Sequence, residues 1–377
     1  MPFAAALSEH PVTAFAVGEA CGQLLERIGP HPDVVLAFVT LPHAGALEDT
    51  MATVRAVLHP AVAIGAASDA IVGTGREVEG GPGVSLWAGR WGPVCPVRLM
   101  SGRGLPDGIG FAPNALVLMG DPFSFPGDEF LDDVAHTHPG LPVIGGLASG
   151  ARGPGGTRLA IDDAVFSDGA VGLLIGPGAD LVPVLSQGAR PIGQPFVVTA
   201  GAGRIVESLG GRTAFERLDE LAGSLTTDEV RVINEGALQI GLVRDERKVD
   251  FGAGDFIVRR VVGGDRDTGA IAIDGEVEVG TTVQFHIRDA VAAREDLDDL
   301  LARDAPTAEP EAALLFTCNG RGRRLFGRPD HDAELLADRV GPVPTAGMFS
   351  AGEIGPLAGR NEVHSFSASV LLLRDHR

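Results

Sequence analysis

The sequence has little of several residue types that particular chemistries require. Tyrosine is absent, there are two tryptophans, and Lys248 is the only lysine. A Schiff-base, phosphate-loop or kinase lysine would have to be Lys248, and the polar run around it contains no motif of that kind. Aromatic platforms for sugars or single-stranded nucleic acid are equally scarce. The sequence therefore disfavours lysine-dependent catalysis and recognition by aromatic stacking.

Cysteines and long apolar runs are also scarce. Cys21, Cys95 and Cys318 are far apart and form no CxxC pair, which argues against a disulfide framework and against a zinc ribbon. The N-terminus has no basic segment of the signal-peptide type, and no run of 18 uncharged apolar residues occurs. We expect a cytoplasmic protein without membrane insertion.

Positive charge is in deficit. Fifty acidic residues face 30 basic ones, and the net charge of −20 repels phosphate backbones and anionic membrane surfaces. We therefore expect no nucleic-acid partner for this acidic protein. With 45% hydrophobic residues and 377 residues in all, the chain is long enough for two domains or one large α/β domain.

A strand-helix-strand pattern of about thirty residues occurs three times, the length of a βαβ crossover. In each copy an apolar run precedes a helix-compatible segment and a second apolar run, so we expect parallel strands within each copy. The copies span Val34 to Gly65, Leu116 to Gly146, and Ala312 to Gly347. A Gly-x-x-Ser motif follows each second strand as a turn, at Gly65 to Ser68, Gly146 to Ser149, and Gly347 to Ser350.

Between the second and third copies, short strands with Gly-Gly and Asp-Gly turn signals predict an antiparallel meander. The predicted fold class is thus α/β, with mixed sheets built from repeated strand-helix-strand units, flanking helices, and a meander in the C-terminal half. We predict an N-terminal domain over residues 1–193 and a C-terminal domain over residues 194–377.

Most motifs of catalysis and cofactor binding are missing. No GxGxxG fingerprint and no GxSxG nucleophile elbow occurs, and the paired histidines and aspartates suit solvated helix ends better than metal sites. The run Asp330-His331-Asp332 is one of these, because charged residues favour the start of a helix. We therefore predict no catalytic residues, no metal and no cofactor.

The third copy offers the best candidate site. Asn319 and Arg321 follow its first strand, and the segment from Gly347 through Ser350 to Glu353 follows its second. The carboxyl ends of neighbouring parallel strands meet where ligands of open α/β sheets bind. Arg321 could bind a carboxylate and Glu353 an ammonium, which suits a zwitterionic ligand. The glycines would let backbone amides approach that ligand. Alternatively, Arg321 and Glu353 pair with each other.

The same residues resemble the FIST sensory-domain family over nearly the whole chain. The family's ending resembles two segments of this chain, Leu315 to Arg321 and Thr345 to Pro356, followed by His364 before the last strand. Its middle resembles the segment Phe256 to Arg259. One departure is Ala67, which stands where the family often has a cysteine. The resemblance implies N-terminal and C-terminal FIST domains.

The resemblance also implies a function. Family members are thought to bind small ligands, amino acids being the suggested class, and to act in signal transduction. This chain shows no output segment, so we expect a separate signalling protein as partner. The predicted ligand-binding residues are Asn319, Arg321, Gly347, Ser350, Glu353, His364 and Arg259.

Two other functions remain open. One is a hydrolase or transferase that uses Cys318 or Ser350 as nucleophile and His364 as base. The other is a non-catalytic protein-interaction scaffold. In that case an ion pair between Arg321 and Glu353 is sufficient to explain why both charges are present. The sequence identifies neither the ligand nor the oligomeric state.

Overall fold

The computed structural model describes residues 2–248, 250–251, 253–357 and 359–375. By their contacts they form two compact units, one of residues 1–186 and 297–377 and one of residues 187–296. The predicted domains, residues 1–193 and 194–377, rest on the change of sequence pattern near residue 193 and stay a prediction.

The first unit begins with strands and helices that alternate along the chain. These are β1 (Phe3–Ser8), α1 (Thr13–Ile28), β2 (Val34–Thr40), α2 (Leu41–Ala44), α3 (Leu47–Leu58), β3 (Val62–Ser68), β4 (Ala70–Gly73), β5 (Arg76–Glu79), β6 (Val84–Gly89), β7 (Val94–Leu99), β8 (Ala115–Gly120), α4 (Gly127–Thr137), β9 (Val143–Ala148), β10 (Leu159–Ile161), β11 (Ala164–Phe166), β12 (Ala170–Ile175) and β13 (Ala179–Ser186).

The second unit consists mainly of short strands. Its elements are β14 (Arg190–Pro191), β15 (Phe196–Ala202), β16 (Ile205–Leu209), β17 (Arg212–Thr213), α5 (Ala214–Ala222), α6 (Thr227–Val232), a π-helical turn (Ile233–Ala237), β18 (Leu238–Val243), a 3-10 turn (Ala253–Asp255), β19 (Phe256–Asp265), β20 (Ala270–Ile273) and β21 (Thr282–Ile287).

The chain returns to the first unit within α7 (Ala290–Ala308). The remaining elements are β22 (Ala312–Cys318), α8 (Gly322–Phe326), α9 (His331–Val340), β23 (Thr345–Leu357), β24 (Arg360–His364) and β25 (Ala368–Asp375).

The strand pairing confirms the predicted fold class. Strands β2 and β3, β8 and β9, and β22 and β23 pair in parallel, so all three predicted units form. The strands of the second unit pair antiparallel, as the meander predicts. Apolar side chains with little polar interruption favour parallel strands because both faces of such a sheet are covered.

The first unit is layered. A six-stranded sheet (order β1-β6-β2-β3-β10-β11) faces an eleven-stranded sheet whose centre runs β25-β22-β23-β9-β8-β12. Side chains from both sheets, among them Phe38, Trp87 and Phe316, fill the core between them. Helices α1 and α3 cover the outer face of the first sheet, whereas α9 and the end of α7 cover the second. This helix-sheet-sheet-helix order buries both faces of each sheet.

The prediction that Gly-x-x-Ser forms turns after the strands is wrong. Gly65 and Ser68 lie inside β3, and Gly347 and Ser350 lie inside β23, which continues to Leu357. β23 extends beyond the end of β22 because its second half pairs with β24 and, across a bulge at Ser350, with β9. The glycines instead allow neighbouring strands to approach closely.

Gly347 shows why a glycine is needed there. A Cβ atom on Gly347 would lie 1.8 Å from the carbonyl oxygen of Leu315 on β22. Because the backbone of β22 cannot move far enough to relieve this contact, we expect Gly347→Ala to lower the free energy of unfolding by about 3 kcal/mol. Gly18→Ala is the matched control: nothing lies within 4 Å of that position in α1, and alanine favours a helix by about 1 kcal/mol. Urea denaturation that ranks both variants as equally stable would contradict this account.

Candidate functional site

Strands β22 and β23 bring the predicted residues of the third copy together. Cys318 stands opposite Ser350, and the Asn319 N–H donates a hydrogen bond to the Ser350 carbonyl at 2.9 Å. Gly347 stands opposite Leu315 further back along the same pair. The segment after β22 therefore lies beside β23, but Ser350 and Glu353 stand inside β23 rather than after its carboxyl end, where the sequence analysis expected them.

Arg321 has a partner that the sequence analysis did not anticipate. Its fully buried guanidinium binds Asp332 through two hydrogen bonds, Nε to Oδ2 at 2.7 Å and Nη2 to Oδ1 at 2.9 Å. Asp332 lies in the first turn of α9 and is itself fully buried. The interpretation of this helix start as solvated is thus wrong, because α9 packs its N-terminus over the end of β22.

Further donors surround the Asp332 carboxylate. The Thr317 hydroxyl donates to Oδ2 at 2.6 Å, and Nδ1 of the buried His331 lies 2.9 Å from Oδ1. Burial opposes the charged form, but the Arg321 guanidinium and these hydrogen bonds outweigh it, so the pKa of Asp332 falls below its usual value. The ion pair is therefore kept charged inside the protein.

Glu77 reaches the same cluster from β5. Its Oε1 accepts hydrogen bonds from the N–H groups of Asp332 at 3.0 Å and Ala333 at 3.1 Å, and it thereby caps α9. Burial and the nearby charge of Asp332 raise the pKa of Glu77 to about 8. Its Oε2 is buried and has no hydrogen-bond partner among the described residues.

Glu353 is a second buried acid with a raised pKa. Its Oε2 accepts hydrogen bonds from the Ser367 N–H at 3.0 Å and the Ser367 hydroxyl at 2.8 Å. Burial raises the pKa of Glu353 to about 8, although the bonds from Ser367, the Arg321 charge and a hydrogen bond with the Cys318 side chain act in the opposite direction. Within the described part of the chain, its Oε1 has no hydrogen-bond partner. Near neutral pH, Glu353 is therefore mostly protonated.

Ser350, like Glu353, places an unpartnered buried polar atom on β23. Its side chain is fully buried, and its Oγ has no hydrogen-bond partner in the described ranges. A Cβ atom on Gly146 of β9 would lie 2.1 Å from that Oγ. The glycine of the second copy thus leaves room for the serine of the third.

The other two repeated serines meet beside Ser350. The hydroxyls of Ser68 and Ser149 lie 2.9 Å apart, and both donate to the carbonyl of Phe349, Ser149 at 2.7 Å. The Asp69 N–H donates to Ser149 at 3.1 Å. One segment of each copy therefore contributes to the same place in the fold, which the sequence repeat alone does not reveal.

The remaining predicted residues lie on two different strands. His364 is buried on β24 directly opposite Glu353, with Nε2 at 3.2 Å from the Gly355 carbonyl oxygen. Arg259 belongs to the second unit, where it stands on β19 opposite Ile240. The first unit thus groups Asn319, Arg321, Ser350, Glu353 and His364 around the end of β22, the middle of β23 and the end of β24, with Gly347 further back.

Sequence reasoning missed Glu77 and Asp332. Glu77 is 255 residues from the N–H group that it accepts from, and no local pattern links the two. The charge of Asp332 suggested solvent rather than burial. An available clue was the pair of Arg321 with a nearby acid before a helix, since buried arginines require such a partner.

Sequence comparison identifies the family of this chain. Residues 33–212 match the FIST N domain and residues 214–356 match the FIST C domain. The chain belongs to the FIST family. It is 42% identical over 381 residues to the uncharacterized protein Rv0628c of Mycobacterium tuberculosis, covering 98% of each chain. It is 41% identical over 371 residues to the uncharacterized protein Mb0898c of Mycobacterium bovis, covering 96% of this chain and 95% of the relative.

FIST domains are sensory domains associated with signalling, and this FIST protein shares that general role. Among the described residues, no three His, Cys, Asp or Glu side chains converge so that they could hold a metal ion. None of the described helices is long and apolar enough to cross a membrane.

Proposed function

We propose that this protein is a cytoplasmic, non-catalytic sensor that binds a small amine-bearing ligand, of the amino-acid type, where β22, β23 and β24 adjoin. Occupancy would then be passed to a separate signalling protein. Family membership supports the sensory role. The observation that carries the location is the buried, unpartnered Oε1 of Glu353.

Unpartnered buried polar atoms support a binding site because they cost free energy. A buried acceptor without a hydrogen bond costs about 1–3 kcal/mol, so nearly all such atoms find a partner in proteins. Glu353 Oε1 and Ser350 Oγ are two such atoms on one strand. An ammonium group supplies hydrogen-bond donors and a charge that Glu353 can match.

We propose that the ligand ammonium binds Glu353. Arg321 contributes the electrostatic field of its positive charge rather than hydrogen bonds to a ligand carboxylate. Because Asp332 already occupies the Arg321 guanidinium, a ligand carboxylate would have to replace Asp332 or use the backbone N–H groups of the loop after β22. The proposed contacts in the first unit are Asn319, Arg321, Gly347, Ser350, Glu353 and His364. Arg259 stays a separate prediction within the second unit.

The described contact of His364 gives the enzymatic alternative little support. The His364 Nε2 lies 3.2 Å from the Gly355 carbonyl oxygen, and Ser350 Oγ has no hydrogen-bond partner among the described residues. A general base must lie within reach of its nucleophile. We therefore propose that Glu353 acts in binding.

The raised pKa of Glu353 makes the proposal testable by calorimetry. At pH 7, a bound ammonium should favour the ionised carboxylate and release close to one proton per ligand, since the pKa of free Glu353 is about 8. The apparent binding enthalpy of an amino acid should then differ between phosphate and Tris, whose ionisation enthalpies differ. Carboxylic acids that lack the amine should not bind this way.

Two variants make this test specific. Glu353→Gln should lower the affinity at least tenfold and abolish the dependence on buffer. Glu26→Gln, an exposed acid on α1, should change neither. Saturable binding whose enthalpy is the same in both buffers and is unaffected by Glu353→Gln would overturn the assignment, as would no binding or thermal shift across a broad amine library.

A further inference from the structure

A separate cavity of about 680 Å³ lies in the first unit, at the amino ends of β22 and β23. It is therefore at the end of these strands opposite to Ser350 and Glu353; six residues of strand span about 20 Å. Its volume falls within the range of about 300–1,000 Å³ that small-molecule sites occupy. Its lining includes Phe3, Ala5, Arg27, Glu311 and residues 340–344.

Most of this lining is apolar. Phe3 and Ala5 of β1 form one wall, and Val340, Pro342 and Val343, around the end of α9, form the other. Such a wall favours a hydrocarbon body, because each methylene transferred from water contributes about 0.8 kcal/mol.

Arg27 supplies the positive charge at this cavity. It is exposed in the last turn of α1, and its Nη1 donates a hydrogen bond to the Ala5 carbonyl. That bond fixes the guanidinium on the cavity wall. Among the described residues, no carboxylate forms an ion pair with Arg27. Since a guanidinium has five donors, several remain for an anion.

The carboxylate of Glu311 is the other charge at the lining. It is exposed, and its Oε2 accepts a hydrogen bond from the Asp375 N–H at 3.2 Å. In the small adjoining cavity, Arg76 and Glu9 pair with each other at 2.7 Å. Among the described residues, neither Arg27 nor Glu311 forms an ion pair, and Arg27 is the one positive charge of the lining, in a protein whose net charge is −20.

We propose that this cavity binds an aliphatic monocarboxylate, with the carboxylate on Arg27 and the hydrocarbon chain between β1 and residues 340–344. This second ligand class goes beyond the proposed amine site. The argument rests on charge complementarity at Arg27 together with the apolar lining. A guanidinium matches a carboxylate with two parallel hydrogen bonds.

The chain contains its own reporter for this cavity. Trp87 and Trp91 are its only tryptophans, and both contact Phe3, with ring centroids 5.5 and 5.6 Å away. The Trp87 indole N–H also donates to the carbonyl of Pro344 at 3.2 Å. A ligand against Phe3 and Pro344 should therefore change the intrinsic fluorescence.

The test is a fluorescence titration of the full chain with hexanoate, octanoate and decanoate below their micellar concentrations, beside the matched primary alcohols. Affinity should rise about fourfold per methylene, the factor that about 0.8 kcal/mol represents, until the cavity is filled. Each carboxylate should bind at least tenfold more tightly than its alcohol.

Variants separate charge from shape. Arg27→Gln should remove the preference for the carboxylate, Arg27→Lys should retain much of it, and Val343→Phe should weaken acid and alcohol alike. Arg55→Gln, which removes a positive charge on α3, is the matched control and should change nothing. Glu353→Gln should also change nothing, so failure here is distinguishable from failure of the amine site. Equal binding of acid and alcohol by the unmodified protein, an unchanged preference in Arg27→Gln, or no response to any acid would overturn the proposal.

Discussion

Replacement of Asp332 by alanine is expected to lower the free energy of unfolding by about 3–5 kcal/mol. The physical reason is that Arg321 and Asp332 are both fully buried and share two hydrogen bonds. Without the carboxylate, a buried guanidinium faces the interior without its counter-charge. The hydroxyl of Thr317 and the ring of His331 lose an acceptor at the same time. Urea denaturation at pH 7 measures the effect.

Two comparisons isolate the ion pair in this experiment. Asp338→Ala removes an exposed acid from the same helix and should cost less than about 0.5 kcal/mol. The double variant Arg321→Met with Asp332→Leu should recover much of the loss, because a buried ion pair can be replaced by apolar residues of similar volume. A loss below about 1 kcal/mol for Asp332→Ala would show that the pair is not the buried unit described here.

The architecture of the repeated units could be predicted because local patterns carry it. Apolar runs such as Val34 to Val39 need cover on both faces, and a crossover of about thirty residues makes their neighbours parallel. The same reasoning correctly placed Asn319 beside Ser350. Pattern and topology were sufficient for those statements.

The hydrogen bonds and ion pairs within the site could not be predicted. They depend on which side chains are buried, and the local sequence does not show this. The sequence around Asp332 suggests a solvated helix start, yet Asp332 is fully buried in the first turn of α9 and binds Arg321. Glu77 comes from the distant hairpin of β4 and β5, which adds to the edge of β23. Only the folded chain shows that Asp332 and Glu353 act on the same guanidinium and that Glu77 accepts from the backbone of Asp332.

That arrangement predicts an unusual pH dependence of stability. Glu77 and Glu353 have pKa values of about 8 in the folded protein, above the ordinary 4.5. Between these values the folded state holds protons that the unfolded state has released, so stability falls as pH rises. The contribution of these two acids to stability is fully present below about pH 4.5 and is lost as the pH rises to about 8. Each group contributes a slope of up to about 1.4 kcal/mol per pH unit.

Glu353→Gln is the decisive variant for this effect. A glutamine keeps an acceptor for the two Ser367 donors but cannot ionise, so the contribution of Glu353 to the slope should vanish. Thermal unfolding between pH 5 and pH 8 should therefore show a flatter profile for Glu353→Gln and a higher melting temperature than the unmodified protein at pH 8. Glu26→Gln should follow the unmodified protein throughout. Parallel profiles for all three proteins would mean that Glu353 titrates like an exposed acid. The proton released on ligand binding would then lose its source, because that release depends on the same raised pKa.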